Sequence, residues 1–186
     1  MEIAPSLYLG DWIPRTDLEG PGQRAALFLA GCSLRCSGCC NPHLFTKKTQ
    51  QLISVSEILQ RVKSVSDIEG ISILGGEPLE QAHALGEFLS SLRQETDLSV
   101  MLYTGYTMAE IKREEDKASV LEFVDVLVDG RYQEALKSSR RRYIGSDNQK
   151  LWLLTDRYMA KDFGGSNFTE FRLNKREFRI LGYPIP

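Results

Sequence analysis

The run Arg24-Ala25-Ala26-Leu27-Phe28-Leu29-Ala30-Gly31-Cys32-Ser33-Leu34-Arg35-Cys36-Ser37-Gly38-Cys39-Cys40 carries a continuous apolar strand straight into a loop of cysteines. Cys32, Cys36 and Cys39 stand at C-x3-C-x2-C spacing. Thiolates are soft ligands that favour zinc or iron–sulfur clusters. Three of them fall one short of a closed tetrahedral site, and on a cubane cluster they leave one iron without a protein donor. Zinc remains an alternative, with Cys40 or His43 as fourth ligand. Zinc motifs usually pair two such knuckles, however, and no second one follows downstream.

Outward from that loop the pattern alternates strand and helix. Ser54 opens a helix, with Glu57 in the box position and Ile58, Leu59, Val62 and Val65 as the apolar face. Gly70–Leu74 reads as a strand stopped by Gly75-Gly76, and a helix with Leu85, Phe88, Leu89 and Leu92 on one face follows. Ser99–Tyr103 is the next strand, Thr107–Asp116 a charged helix capped by Thr107, and Val124–Val128 a further strand. Phe168–Leu173 and Phe178–Ile180 read as a terminal β-hairpin, within about residues 168–183.

Short apolar strands separated by helices imply βαβ units and a parallel sheet. At least four such strands are present, fewer than a closed eight-stranded barrel requires. The expected fold is therefore α/β, a partial, open β/α barrel with parallel strands and a C-terminal β-hairpin. The 186 residues fit a single domain over 1–186, with the cluster loop at 31–41. In such folds ligands bind at the carboxyl ends of the strands. The cysteine loop, Gly75-Gly76-Glu77-Pro78, Thr104-Gly105 and Asp129-Gly130 all fall at such ends.

The bulk composition narrows the class. A formal net charge of −2 offers no field for nucleic acid or an anionic membrane. No apolar stretch approaches the roughly 20 residues of a spanning helix, and no signal pattern opens the chain. All four cysteines fall between Cys32 and Cys40, which suits a ligand set in a reducing cytoplasm better than disulfides.

Each further motif has a plain structural reading beside a chemical one. Gly75-Gly76 can be a tight turn, and Pro78 suits a first helical position. Glycines also let backbone approach a ligand closely, and carbonyls with Glu77 are acceptors suited to an ammonium group. Asp129 can cap the following helix or face a ligand. Gly145-Ser146-Asp147-Asn148-Gln149 reads as a loop and N-cap before a helix. Arg140-Arg141-Arg142 reads as a solvated basic run, with docking of an acidic partner surface as the alternative. His43 and His83 lack the partners of a catalytic base.

The cysteine spacing followed by GGEP resembles the radical S-adenosylmethionine (SAM) superfamily. GPGQRAALFLAGCSLRCSGCCNP, GGEP, LYTGY, DVLVDGRY, GSDNQ and FRILGYP, in that order, resemble the activating proteins of anaerobic ribonucleotide reductase. Gly38 fits that subgroup, while Cys40 stands where the pattern expects His. The resemblance implies a [4Fe-4S] cluster on Cys32, Cys36 and Cys39, with SAM chelating the fourth iron. It implies SAM contacts at Gly75, Gly76, Glu77 and Pro78, and places Thr104, Asp129 and Ser146 near the cofactor. One electron from an external reductant such as flavodoxin or ferredoxin would cleave SAM, and the 5′-deoxyadenosyl radical would abstract hydrogen from a glycine of a partner glycyl radical enzyme. The protein's task would be orientation, with the cofactor carrying the chemistry. A radical SAM enzyme acting on a ribosomal peptide or small molecule is one alternative; a non-enzymatic iron–sulfur or zinc-binding module is the other.

Overall fold

The computed structural model describes residues 4–48, 51–138, 140–165, 169–173 and 178–182. Four strands run parallel, β2 (Arg24–Leu29), β4 (Gly70–Gly75), β5 (Ser99–Tyr103) and β6 (Val126–Asp129). Antiparallel strands flank them: β1 (Ser6–Thr16) beside β2, β3 (Leu52–Ser54) beyond β1, and β7 (Lys150–Leu153) beside β6. The result is a mixed seven-stranded sheet of order β3-β1-β2-β4-β5-β6-β7, which does not close on itself. Strands β8 (Thr169–Leu173) and β9 (Phe178–Gly182) pair antiparallel as a separate hairpin. The sequence places its ends at Phe168 and about residue 183, both outside the described residues.

The parallel strands are adjacent in chain order, so each crossover winds the same way and all the packed helices fall on one face. There α1 (Val55–Lys63) buries Ile58, Leu59 and Val62, and α2 (Ala82–Glu95) buries Leu85, Phe88, Leu89 and Leu92, against Leu27, Ile71, Ile73, Val100 and Leu102. Alternate residues of the same strands, Ala26, Phe28, Leu74, Met101, Tyr103, Val126 and Val128, point to the opposite face. No helix covers that side among the described residues; Ile13, Leu18, Tyr143 and Ile144 pack there instead.

Several expectations need correction. The segment before Arg24, to which the sequence pattern assigns no element, holds an eleven-residue strand. Its register shifts between Leu9 and Asp11 and between Ile13 and Thr16 break the alternation that identifies a strand. The span Thr107–Asp116 forms two short helices, α3 (Met108–Ile111) and α4 (Glu115–Val120), because Lys112–Asp116 supplies no apolar face to bury. Thr107 caps α3 as expected, and Glu110 completes a capping box with it. Ser54 caps α1 by accepting from the Glu57 N–H at 3.2 Å, but the Glu57 carboxylate pairs with Arg61 at 2.7 Å instead of completing a box. Val65 lies beyond the end of α1. The loop at 145–149 leads into β7, not into a helix.

Arg24 is fully buried although the sequence shows it only as the start of an apolar run. Its guanidinium donates to Ser72 Oγ and Ser99 Oγ, both at 2.9 Å, and to the Ile71 carbonyl at 2.7 Å. One side chain thereby ties the amino ends of β2, β4 and β5 together. Among the described residues, no helix is long and apolar enough to cross a membrane.

Candidate active site

The carboxyl ends of the parallel strands converge on the cysteine loop. Two backbone bonds close that loop, Gly31 N–H to the Leu44 carbonyl at 2.7 Å and Cys32 N–H to the Phe45 carbonyl at 3.1 Å. Two more lock it to the glycine turn: Gly76 N–H donates to Leu29 O at 2.7 Å and Glu77 N–H to Gly31 O at 2.8 Å. The glycines serve this contact. Gly75 has φ +110°, and a Cβ on it would meet the Leu29 backbone at 2.6 Å. A Cβ on Gly76 would strike the Gly31 carbonyl. The close approach that the glycines permit is therefore to the neighbouring strand's backbone.

Glu77 stitches three strand ends together. One carboxylate oxygen accepts from Leu79 N–H at 2.9 Å and from the Thr104 hydroxyl at 2.7 Å; the other accepts from Gly105 N–H at 2.8 Å. The residue is 1% exposed, and burial pushes its carboxyl up to about 7 against those three donors. A carboxylate has about four lone-pair sites, so one acceptor position is left over. Pro78 is buried at the start of the 3₁₀ turn Pro78–Gln81.

A cavity of about 640 Å³ opens on the helix-free face of the sheet above these ends. Cys32, Cys36, Cys39 and Cys40 line it together with Gly75, Gly76, Glu77, Thr104 and Gly105. Cys32, Cys36 and Cys39 are part-buried and Cys40 is exposed. Burial raises the thiol pKa of Cys32 and of Cys39. Among the described residues, no three Cys, His, Asp or Glu side chains are grouped tightly enough to hold a metal ion. As a donor set the loop fits a cluster nonetheless: three soft, part-buried thiols on one short loop face one cavity. His43 lines the same cavity, so position alone leaves zinc open.

Two expected site residues stand behind the cavity wall. Asp129 is 4% exposed and accepts from the Met108 N–H at 2.6 Å, so it caps α3, which precedes it, and not a helix that follows. Ser146 is fully buried and accepts from Gln133 N–H at 3.1 Å. Its neighbour Gln149 lines the cavity and binds the Gly130 carbonyl at 2.9 Å. The basic run is partly engaged: Arg141 donates to the Gln149 carbonyl at 3.0 Å and Arg142 to the Asp17 carbonyl at 3.3 Å.

Among the cavity residues that the sequence reading did not single out is a buried carboxyl, Glu19. Glu19 lines the wall, and its carboxyl makes no hydrogen bond among the described residues. Burial pushes that carboxyl up to about 7. Its own carbonyl accepts from the Ser72 hydroxyl at 2.6 Å and the Tyr103 hydroxyl at 3.3 Å. The only available signal was its place in the polar segment just before β2.

Comparison with known proteins bears on the choice between zinc and an iron–sulfur cluster. A family described as a 4Fe-4S single cluster domain matches residues 18–152. The chain is 34% identical to the anaerobic ribonucleoside-triphosphate reductase-activating protein of Enterobacteria phage T4, over 75% of this chain and 89% of that protein. The chain belongs to the anaerobic ribonucleoside-triphosphate reductase-activating protein family. The bearer of that name in Vibrio cholerae is 30% identical over 77% of this chain and 96% of its own length, and that of Escherichia coli K12 is 28% identical over 74% and 93%. Membership in this activating-protein family, together with the 4Fe-4S single cluster domain match over residues 18–152, supports an iron–sulfur cluster over zinc for this domain.

Proposed function

We propose that this chain cleaves SAM reductively at a [4Fe-4S] cluster held by Cys32, Cys36 and Cys39 and installs a glycyl radical on a partner enzyme, anaerobic ribonucleotide reductase. The observation that carries the proposal is the shared cavity, whose wall joins the cysteine loop to the Gly75–Glu77 turn and to Thr104. The cluster, when bound, supplies one electron to the sulfonium of SAM. The chain's own residues bind and orient. Gly75, Gly76, Glu77 and Pro78 form the turn that receives the amino-acid end of SAM, and the acceptor position left on Glu77 suits an ammonium. Thr104 holds the Glu77 carboxylate in place, and Gly105 N–H fixes its other oxygen. Asp129 contributes by capping α3, and Ser146 by tying the 145–149 loop to Gln133.

The partial-barrel reading belongs to the same proposal. Helices on one face and one winding direction suit an incomplete barrel whose inner face is the cavity floor. No helix covers that inner face among the described residues, so a partner can present a glycine on a loop at the cavity, and orientation alone brings the reacting atoms together. The setting is a reducing cytoplasm, with a flavodoxin- or ferredoxin-type reductant as electron donor.

The test is anaerobic reconstitution with iron and sulfide, followed by SAM, reductant and the ribonucleotide reductase. The expected result is methionine and 5′-deoxyadenosine formation with a glycyl radical signal in electron paramagnetic resonance. SAM cleavage with no such signal would overturn the assigned partner. Cys36→Ala is expected to lose the cluster and SAM cleavage together, and retained cleavage would overturn the ligand set.

A further inference from the structure

Two of the three cluster cysteines are followed by serine, as Cys32-Ser33 and Cys36-Ser37. Each serine is held by a carboxylate from a different strand end. Ser33 donates twice to one oxygen of Glu80, from its N–H at 2.7 Å and its hydroxyl at 2.5 Å. Glu80 sits in the 3₁₀ turn Pro78–Gln81, directly after the glycine turn. Ser37 donates its hydroxyl to Glu134 at 3.2 Å, and Glu134 opens the 3₁₀ turn Glu134–Leu136 after β6. The fit to the loop is close: a Cβ on Gly38 would meet the Glu134 carboxyl carbon at 2.7 Å. The loop is thus gripped from two sides, next to two of its ligands.

We propose that Glu80 and Glu134 are positioning residues of the cluster loop, which fix its course through Ser33 and Ser37 and set the reduction potential of the cluster by their negative charge. Partners one step removed from the ligands orient those ligands and tune a metal site. Cluster potential also follows nearby charge and hydrogen bonding. A fixed anion beside the loop disfavours adding an electron, so it holds the potential low. Charge-assisted hydrogen bonds such as the Ser33–Glu80 pair are shorter and stronger than neutral ones. The inference rests on Cys32 and Cys36 being cluster ligands.

The test compares reconstituted wild type with Glu80→Gln, Glu134→Gln and Glu80→Ala. Iron and sulfide per chain and the cluster midpoint potential are measured without SAM or partner. Glutamine keeps an acceptor but removes the charge, so Glu80→Gln and Glu134→Gln should retain iron and shift the potential upward. The expected shift is a two- to tenfold change in the reduction equilibrium, up to about 59 mV for one electron. Glu80→Ala removes the acceptor as well and should also lose iron on desalting. Glu87→Gln, on the far exposed side of α2, removes the same charge and should shift nothing. Unchanged potentials in both glutamine variants, or an equal shift in Glu87→Gln, would overturn the inference. A wild-type chain that assembles no cluster would instead defeat the proposed function.

Discussion

Glu77 and Glu19 are both carboxyls raised to about 7 by burial, yet they differ in their company. Glu77 is met by three donors, whereas Glu19 faces the cavity without one among the described residues. Glu19 has an ordinary value of 4.5 and a folded value of about 7. Between those limits the unfolded chain has lost a proton that the folded chain keeps, so stability falls as pH rises and levels off above about 7. Glu19→Gln should flatten that fall by about 1–3 kcal/mol. Denaturant titration of both proteins at pH 5 and pH 8 checks this, and Glu77 should leave a residual slope of the same sign. Thr104→Val removes one of the three donors to Glu77 and should weaken SAM binding about tenfold, measured by equilibrium titration of the reconstituted protein. Sequence reading found Glu77 because glycines and a proline mark the turn around it. It missed Glu19 because a lone glutamate in a polar segment looks the same whether it faces water or a cavity.

At the scale of elements, the four parallel strands were legible because each is a short apolar run ended by glycine or a polar turn. Of the antiparallel strands the terminal hairpin was legible, but β1, β3 and β7 were not. Bulges disturb the alternation of β1, and β3 and β7 are too short to carry a pattern. The long charged helix expected after Thr107 breaks in two because propensity without a buried face does not sustain a helix. Asp129 shows how position alone misleads. It stands at a strand's carboxyl end, where ligands gather, but its carboxylate is occupied by the first N–H of α3. Asp129→Ala should therefore cost about 1–2 kcal/mol of stability, in the range of a lost helix cap. Thermal melting of the metal-free protein checks the loss, and Thr107→Ala at the same helix end should behave alike.

Across the whole molecule, a buried ionisable side chain ties neighbouring strands together at each end of the four parallel strands. Arg24 ties the amino ends, and Glu77 ties the carboxyl ends where the cavity opens. Arg24→Lys loses the planar fork that reaches several acceptors at once. It should cost about 2–4 kcal/mol, since buried acceptors would be left unmet. Iron loading of the folded protein should be unchanged, because the site lies at the opposite end. Denaturation curves paired with iron analysis separate the two effects.

The Glu77 arrangement has a consequence for how the site fails. One side chain and its own N–H connect the cysteine loop, the glycine turn and the end of β5, so none of the three can loosen while the others hold. Substitutions at Thr104 and Glu77 should then be strongly non-additive in a double-mutant cycle, the second removing little that the first had left. A partly damaged site should be rare in any population of molecules. Each molecule should either retain the whole arrangement or lose it in one step.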